Sequence, residues 1–154
     1  AYAAAGDFRS SVAAFTEALE PPVQPEGAEG LSIAAAPNPP GLLLLSIARS
    51  YFALDEFDAA RAYLVRCIEV SPDSNNITAA RLLLGEIMRK TDDNSGAEAQ
   101  YRTIIGESGD NAEAHYQLGE LYAAQGDTAK ARAEWRDALK ADSAHTKART
   151  RLSM

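Results

Sequence analysis

Apolar residues recur at three- and four-residue spacing through most of the chain. Between residues 112 and 125, Tyr116, Leu118, Leu121, Tyr122 and Ala123 follow the period of a helix that buries one stripe. Asn111 and Asp127 stand where N-caps of two successive helices belong, and Gly126 can take the positive φ that ends the first. Together these residues predict two helices joined by a tight turn. The same pattern predicts helix pairs over residues 41–54 and 57–70, 76–90 and 95–107, and 112–125 and 128–141, with a short last helix after Ser143. Ahead of them a helix is expected over residues 7–20, followed by a loop in which Pro21, Pro22, Pro25, Gly27, Gly30, Pro37, Pro39 and Pro40 break any long helix.

The pairs repeat. Leu84-Gly85-x-x-Met88 aligns with Leu118-Gly119-x-x-Tyr122, and Ala97-x-x-x-Tyr101 with Ala131-x-x-x-Trp135, each at an offset of 34. Ile47-Ala48-x-x-Tyr51, Ala60-x-x-x-Leu64 and Pro72 continue the series at an offset of 37, which places three extra residues near Asn75 to Ile77, in a turn. Tyr2, Phe8 and Phe15 match Tyr51, Phe57 and Leu64 at an offset of 49, a repeat interrupted by a 15-residue insertion. The small residues at Ala48, Gly85 and Gly119 on first helices, and Ala60, Ala97 and Ala131 on second ones, let two helices approach closely. A glycine inside a helix costs about 1 kcal/mol against alanine, so a packing need is implied.

A 34-residue unit of this form resembles the tetratricopeptide repeat, whose motif reads W-x-x-L-G-x-x-Y, then A-x-x-x-F, then P. The opening aromatic is replaced by Leu44, Arg81 and His115, and the closing proline survives only at Pro72. The resemblance implies an all-α solenoid, a right-handed superhelix of about 3.5 helix-turn-helix repeats. Its units are a partial first repeat at 1–20, a Pro/Gly-rich insertion at 21–40, repeats at 41–74, 78–111 and 112–145 with a short insertion at 75–77, and the start of a capping helix or further repeat at 146–154. Because a solenoid needs its terminal units covered, a longer native chain is expected, or a flank of Val12, Phe15 and Leu19 covered by the insertion or a second molecule.

Composition narrows function by exclusion. The net charge of -7 in 154 residues argues against a phosphate-binding surface, so no nucleic-acid partner is expected. Two His and one Cys exclude a Cys/His metal cage and an intrachain disulfide. No apolar run approaches a bilayer span, so no membrane insertion is expected in this segment, and the compartment stays open between cytoplasm and periplasm. No G-x-S-x-G elbow, phosphate-binding loop or H-E-x-x-H pair occurs, and the reading is of a non-enzyme without cofactor or resident metal. His115 is read as packed or half-buried, His145 as solvated at a turn, and Cys67, in register with Ile104 and Ala138, as a buried thiol. Residues 91–96 (T-D-D-N-S-G) resemble part of a calcium loop at the wrong spacing and are read as a turn with an N-cap.

In tetratricopeptide arrays the first helix of each pair lines the concave face, where peptides or helices bind. By register, the resemblance places the partner groove at Leu42, Leu45, Arg49 and Phe52, then Leu82, Leu83, Glu86, Arg89 and Lys90, then Glu113, Tyr116, Gln117 and Glu120. The pattern carries more apolar residues than one buried stripe needs, leaving Leu45, Phe52, Leu82, Leu83 and Tyr116 for a second face. Of the places where chaperone-tail binders carry basic residues, only Arg49 is basic, which argues against a carboxylate clamp. The expected role is a protein-protein interaction module or assembly scaffold that binds a helix or peptide. The alternatives are a self-associating element of a larger array and the substrate-recruiting part of a longer enzyme. The Ala-rich, acidic style resembles bacterial repeat proteins, many of which assist assembly. Charge divides unevenly, at -4 over residues 1–40, -4 over 41–111 and +1 over 112–154.

Overall fold

The computed structural model describes residues 9–10, 12–14 and 41–154. Arg9, Ser10, Val12, Ala13 and Ala14 are helical, in keeping with the helix expected there; the remainder of residues 1–20 and the insertion at 21–40 lie outside the described residues. From Gly41 onward the chain forms α1 (Gly41–Ala53), α2 (Phe57–Val70), α3 (Ser74–Lys90), α4 (Asn94–Ser108), α5 (Ala112–Ala124), α6 (Thr128–Ala141) and α7 (Thr146–Ser153). The described residues contain no strand, and the protein is all-α.

Helix α3 is longer than its sequence pattern suggests. The three extra residues expected in a turn instead extend its first turn, which starts at Ser74 and includes Asn75, Asn76 and Ile77. Asp73 helps to start it, its Oδ1 accepting from Asn75 N–H at 2.9 Å.

The chain divides into two compact units, Ala1–Ala80 and Arg81–Met154. In the first, α1 and α2 pack through Leu44, Leu45, Ile47 and Ala48 on one side and Ala60, Leu64 and Cys67 on the other, all buried. Gly41 is there because the helix start lies against Ser71, leaving no room for a Cβ. Its carbonyl accepts from Cys67 Sγ at 3.2 Å, and burial pushes the Cys67 thiol pKa up. Tyr51 and Tyr63 stack at 5.5 Å between ring centroids.

In the second unit one core joins Ala97, Tyr101, Leu118, Leu121, Tyr122, Ala131, Trp135, Ala138 and Ala148. Its spacing within the helix pairs is set by glycine. A Cβ on Gly85 would lie 2.5 Å from Tyr101 Cε1, and one on Gly119 would lie 2.5 Å from Trp135. Each aromatic ring of a second helix therefore lies against bare backbone of the first.

The turns inside the pairs share one design. Asp55, Asp92 and Gly126 have φ of 59°, 61° and 83°, and the next residue in each case donates its N–H back five residues: Glu56 to Tyr51, Asp93 to Met88, Asp127 to Tyr122, at 3.0, 2.8 and 2.9 Å. This is the left-handed helix ending that satisfies the last carbonyls. Asp tolerates the conformation better than most L residues, which is why two of these turns manage without glycine. Asp93, Asn111 and Asp127 then cap α4, α5 and α6, each accepting a backbone N–H three residues on.

Candidate functional site

Helix periodicity puts Leu82, Glu86, Arg89 and Lys90 on one side of α3, and Glu113, Tyr116, Gln117 and Glu120 on one side of α5. Within the second unit, Leu82, Leu83, Glu86 and Arg89 are half-buried and Lys90 is exposed. Leu82 and Tyr116 rest partly on the core, so each offers only one edge to the outside.

The ring of Tyr101 crosses from α4 over Gly85. Its hydroxyl and the Nε of Arg89 are buried. Burial is the main cause that pushes the Tyr101 pKa up to about 12, against the nearby Arg89 guanidinium, which favours the anion; Glu86 and Glu113 reinforce burial. Arg89 is thus the polar partner of the Tyr101 hydroxyl, and the charges of Glu86 and Glu113 act on the same group. Buried polar groups are normally hydrogen-bonded, and the hydroxyl and the guanidinium meet that need through each other.

On the α5 side the acceptors are already engaged. Glu113 Oε1 accepts from Gln117 at 2.7 Å, and its Oε2 lies 3.2 Å from His145 Nε2. Glu120 takes a two-pronged bond from Arg151, at 2.8 and 2.6 Å, which raises the Arg151 pKa. The Tyr116 ring sits 5.2 Å from His145 and 5.6 Å from the Lys147 ammonium. So α7 and its N-cap His145 supply partners to three of the four α5 residues assigned to the groove. These contacts span about 30 residues of sequence, and no local pattern announces them.

His145 is correspondingly not a solvated turn residue. Its side chain is 10% exposed, and Nδ1 caps α7 by accepting from Ala148 N–H at 3.2 Å. The signal available in the sequence was its position, one residue before a helix, where a side-chain acceptor is useful. His115 is half-buried as expected, its Nδ1 2.8 Å from Glu134 Oε2 on α6. With Asp137, one turn further along α6, it forms a group of three donor atoms within 4.8 Å of one another.

In the first unit the four assigned residues fare differently. Leu42 is 59% exposed and Arg49 is exposed, while Phe52 is half-buried with its ring 5.8 Å from Phe57. Leu45, read as a groove residue, is 2% exposed and belongs to the core. The reason is the width of the buried stripe on α1, which takes in Leu44, Leu45, Ile47 and Ala48 together.

Residues 41–154 match the tetratricopeptide repeat-like domain family. The chain belongs to that family. Among solved structures, MamA is similar over 93% of this chain and 73% of its own, with 21% identity and a TM-score of 0.70. YrrB, a TPR protein with an unusual peptide-binding site, is similar over 99% of this chain and 70% of its own, at 20% identity and a TM-score of 0.71. The Cut9-Hcn1 hetero-tetramer of the APC/C shares 16% identity over 74% of this chain and 23% of that one, with a TM-score of 0.65. At these identities the likeness is one of fold: this is the helix-turn-helix architecture of TPR solenoids. No curated protein sequence matches the chain. No helix among the described residues is long and apolar enough to cross a membrane.

Proposed function

We propose that this TPR chain is a non-enzymatic protein-protein interaction module, and that the first-helix face of its second unit receives a helix or extended peptide. The observation that carries the reading is the run of half-buried apolar and charged side chains along one side of α3, Leu82, Glu86 and Arg89, ending at exposed Lys90. A carboxylate of an entering segment would answer the Arg89 guanidinium, and its apolar side chains would rest on Leu82 and Leu83. Glu86 and Lys90 would select charge at the margins. Glu113, Tyr116, Gln117 and Glu120 form the far wall, held in place by α7. The peptide-binding YrrB shares the fold and supports the reading. In the first unit, Leu42, Arg49 and Phe52 extend the assignment as a separate contact surface, without Leu45.

Selection of binders from a displayed peptide library, followed by fluorescence anisotropy, tests the assignment. Leu82→Glu combined with Tyr116→Glu should abolish binding with helicity retained by circular dichroism, and Arg89→Ala alone should weaken it at least tenfold. Unchanged affinity in both variants sinks the groove.

A further inference from the structure

We propose that His115, Glu134 and Asp137 form a zinc-binding site on the α5–α6 hairpin. The donors come from two helices that the fold holds together: His115 from α5, and Glu134 and Asp137 from successive turns of α6. At i and i+3 the two carboxylates share one side of α6, the spacing that lets neighbouring side chains on a helix act on one point. One donor atom from each residue lies within 4.8 Å of the others, and His115 Nδ1 is already 2.8 Å from Glu134 Oε2.

Coordination at bond lengths of about 2.1 Å sets tetrahedral donors about 3.4 Å apart, so the ion requires Asp137 to swing inward and the His115–Glu134 pair to part slightly. Both movements are side-chain rotations. The His115 side chain is 12% exposed and that of Glu134 22%, so both donors are largely sheltered and still reached by solvent. Asp137 holds the Lys140 ammonium at 2.5 Å, a contact at a 77% exposed lysine that the ion would displace at little cost.

The donor set selects the metal. One imidazole and two carboxylates suit zinc, with water in the fourth position, whereas magnesium prefers oxygen alone and keeps its own waters. His115 occupies the register position held by Leu44 and Arg81 in the two preceding pairs, so this hairpin is the one among the three with an imidazole there. The site is independent of the peptide face and stands whether or not a peptide binds.

Isothermal titration of Zn(II) alone into untagged protein tests it. One saturable site per chain is expected, with no saturable response to Mg(II). His115→Ala and Glu134→Gln should each lower zinc affinity at least about tenfold, the loss that even an outer-shell partner can produce, with the helical circular dichroism signal unchanged for Glu134→Gln. His145→Ala, which removes the other histidine, should leave zinc affinity intact. Absence of a saturable site, retention of full affinity in Glu134→Gln, or loss of binding in His145→Ala would each overturn the assignment.

Discussion

The α1–α2 and α5–α6 hairpins solve the same packing problem with opposite choices. Where α5–α6 sets Gly119 against Trp135, the α1–α2 pair has Ala48 and Leu64 at the register positions, both fully buried. Ring and missing Cβ go together, and so do a modest side chain and a retained one. In both hairpins the facing positions are filled and buried; a ring is matched by a bare backbone and a smaller side chain by a methyl. The α3–α4 pair, with Gly85 and Tyr101, takes the α5–α6 solution.

The comparison can be broken most forcefully at the ring. Trp135→Ala should cost about 3–5 kcal/mol in urea unfolding, by loss of buried area and the cavity left behind. Gly119→Ala should cost about 1–3 kcal/mol through the clash, despite the better helix propensity of alanine. The double variant Gly119→Ala with Trp135→Leu installs the α1–α2 solution in α5–α6, and should be more stable than the sum of its single changes predicts. Simple additivity in that cycle would show the two positions to be independent.

A second test uses Tyr101, whose buried hydroxyl has no counterpart at Leu64. Its folded-state pKa of about 12 lies above the ordinary tyrosine value of about 10, so the native state holds its proton after the unfolded chain has released it. Stability contributed by Tyr101 is therefore complete below pH 10 and lost as the pH rises toward 12, by about 2–3 kcal/mol at most. Tyr101→Phe should lose less stability than the wild type across that window. Parallel alkaline unfolding curves for the two proteins would remove burial of the hydroxyl as the cause.

The smallest effect is expected in the turns. Asp92→Gly should stabilise by up to about 1 kcal/mol, because the left-handed conformation is free for glycine, and Gly126→Ala should destabilise by about the same amount. Asp55 should respond as Asp92 does. Equal effects of opposite sign in thermal unfolding would show that the three turns are one motif with interchangeable residues.

The sequence disclosed the helices because they are amphipathic, capped and in register; the cap roles of Asn111 and Asp127 and the positive φ of Gly126 were all readable. The buried positions of Ala48, Gly85, Gly119, Ala60, Ala97 and Ala131 were readable too, from their common spacing. The start of α3 was misjudged because extra length in a repeat is equally well placed in a turn or in a helix, and Asn75 and Asn76 look like turn residues. The left-handed Asp55 and Asp92 carry a residue type that serves as readily in N-caps and ordinary turns, and only their register with Gly126 points to the conformation. At the candidate site, Leu45 was misassigned because counting apolar residues on α1 does not say how wide its buried stripe is. The engagement of Glu113 and Glu120 by His145 and Arg151 depends on where α7 comes to lie, and a repeat motif is silent about side-chain pairing across 31 or 32 positions.

Trp135 is the chain's only tryptophan, and it sits 7% exposed against the backbone at Gly119. The protein thus carries an intrinsic fluorophore confined to one of its two units. Emission reports the opening of α5 from α6 and is blind to the α1–α2 hairpin, whose rings are tyrosine and phenylalanine, whereas far-ultraviolet ellipticity sums over every helix. Recording both signals along one denaturation would show whether the two units melt together or in turn, with no label attached.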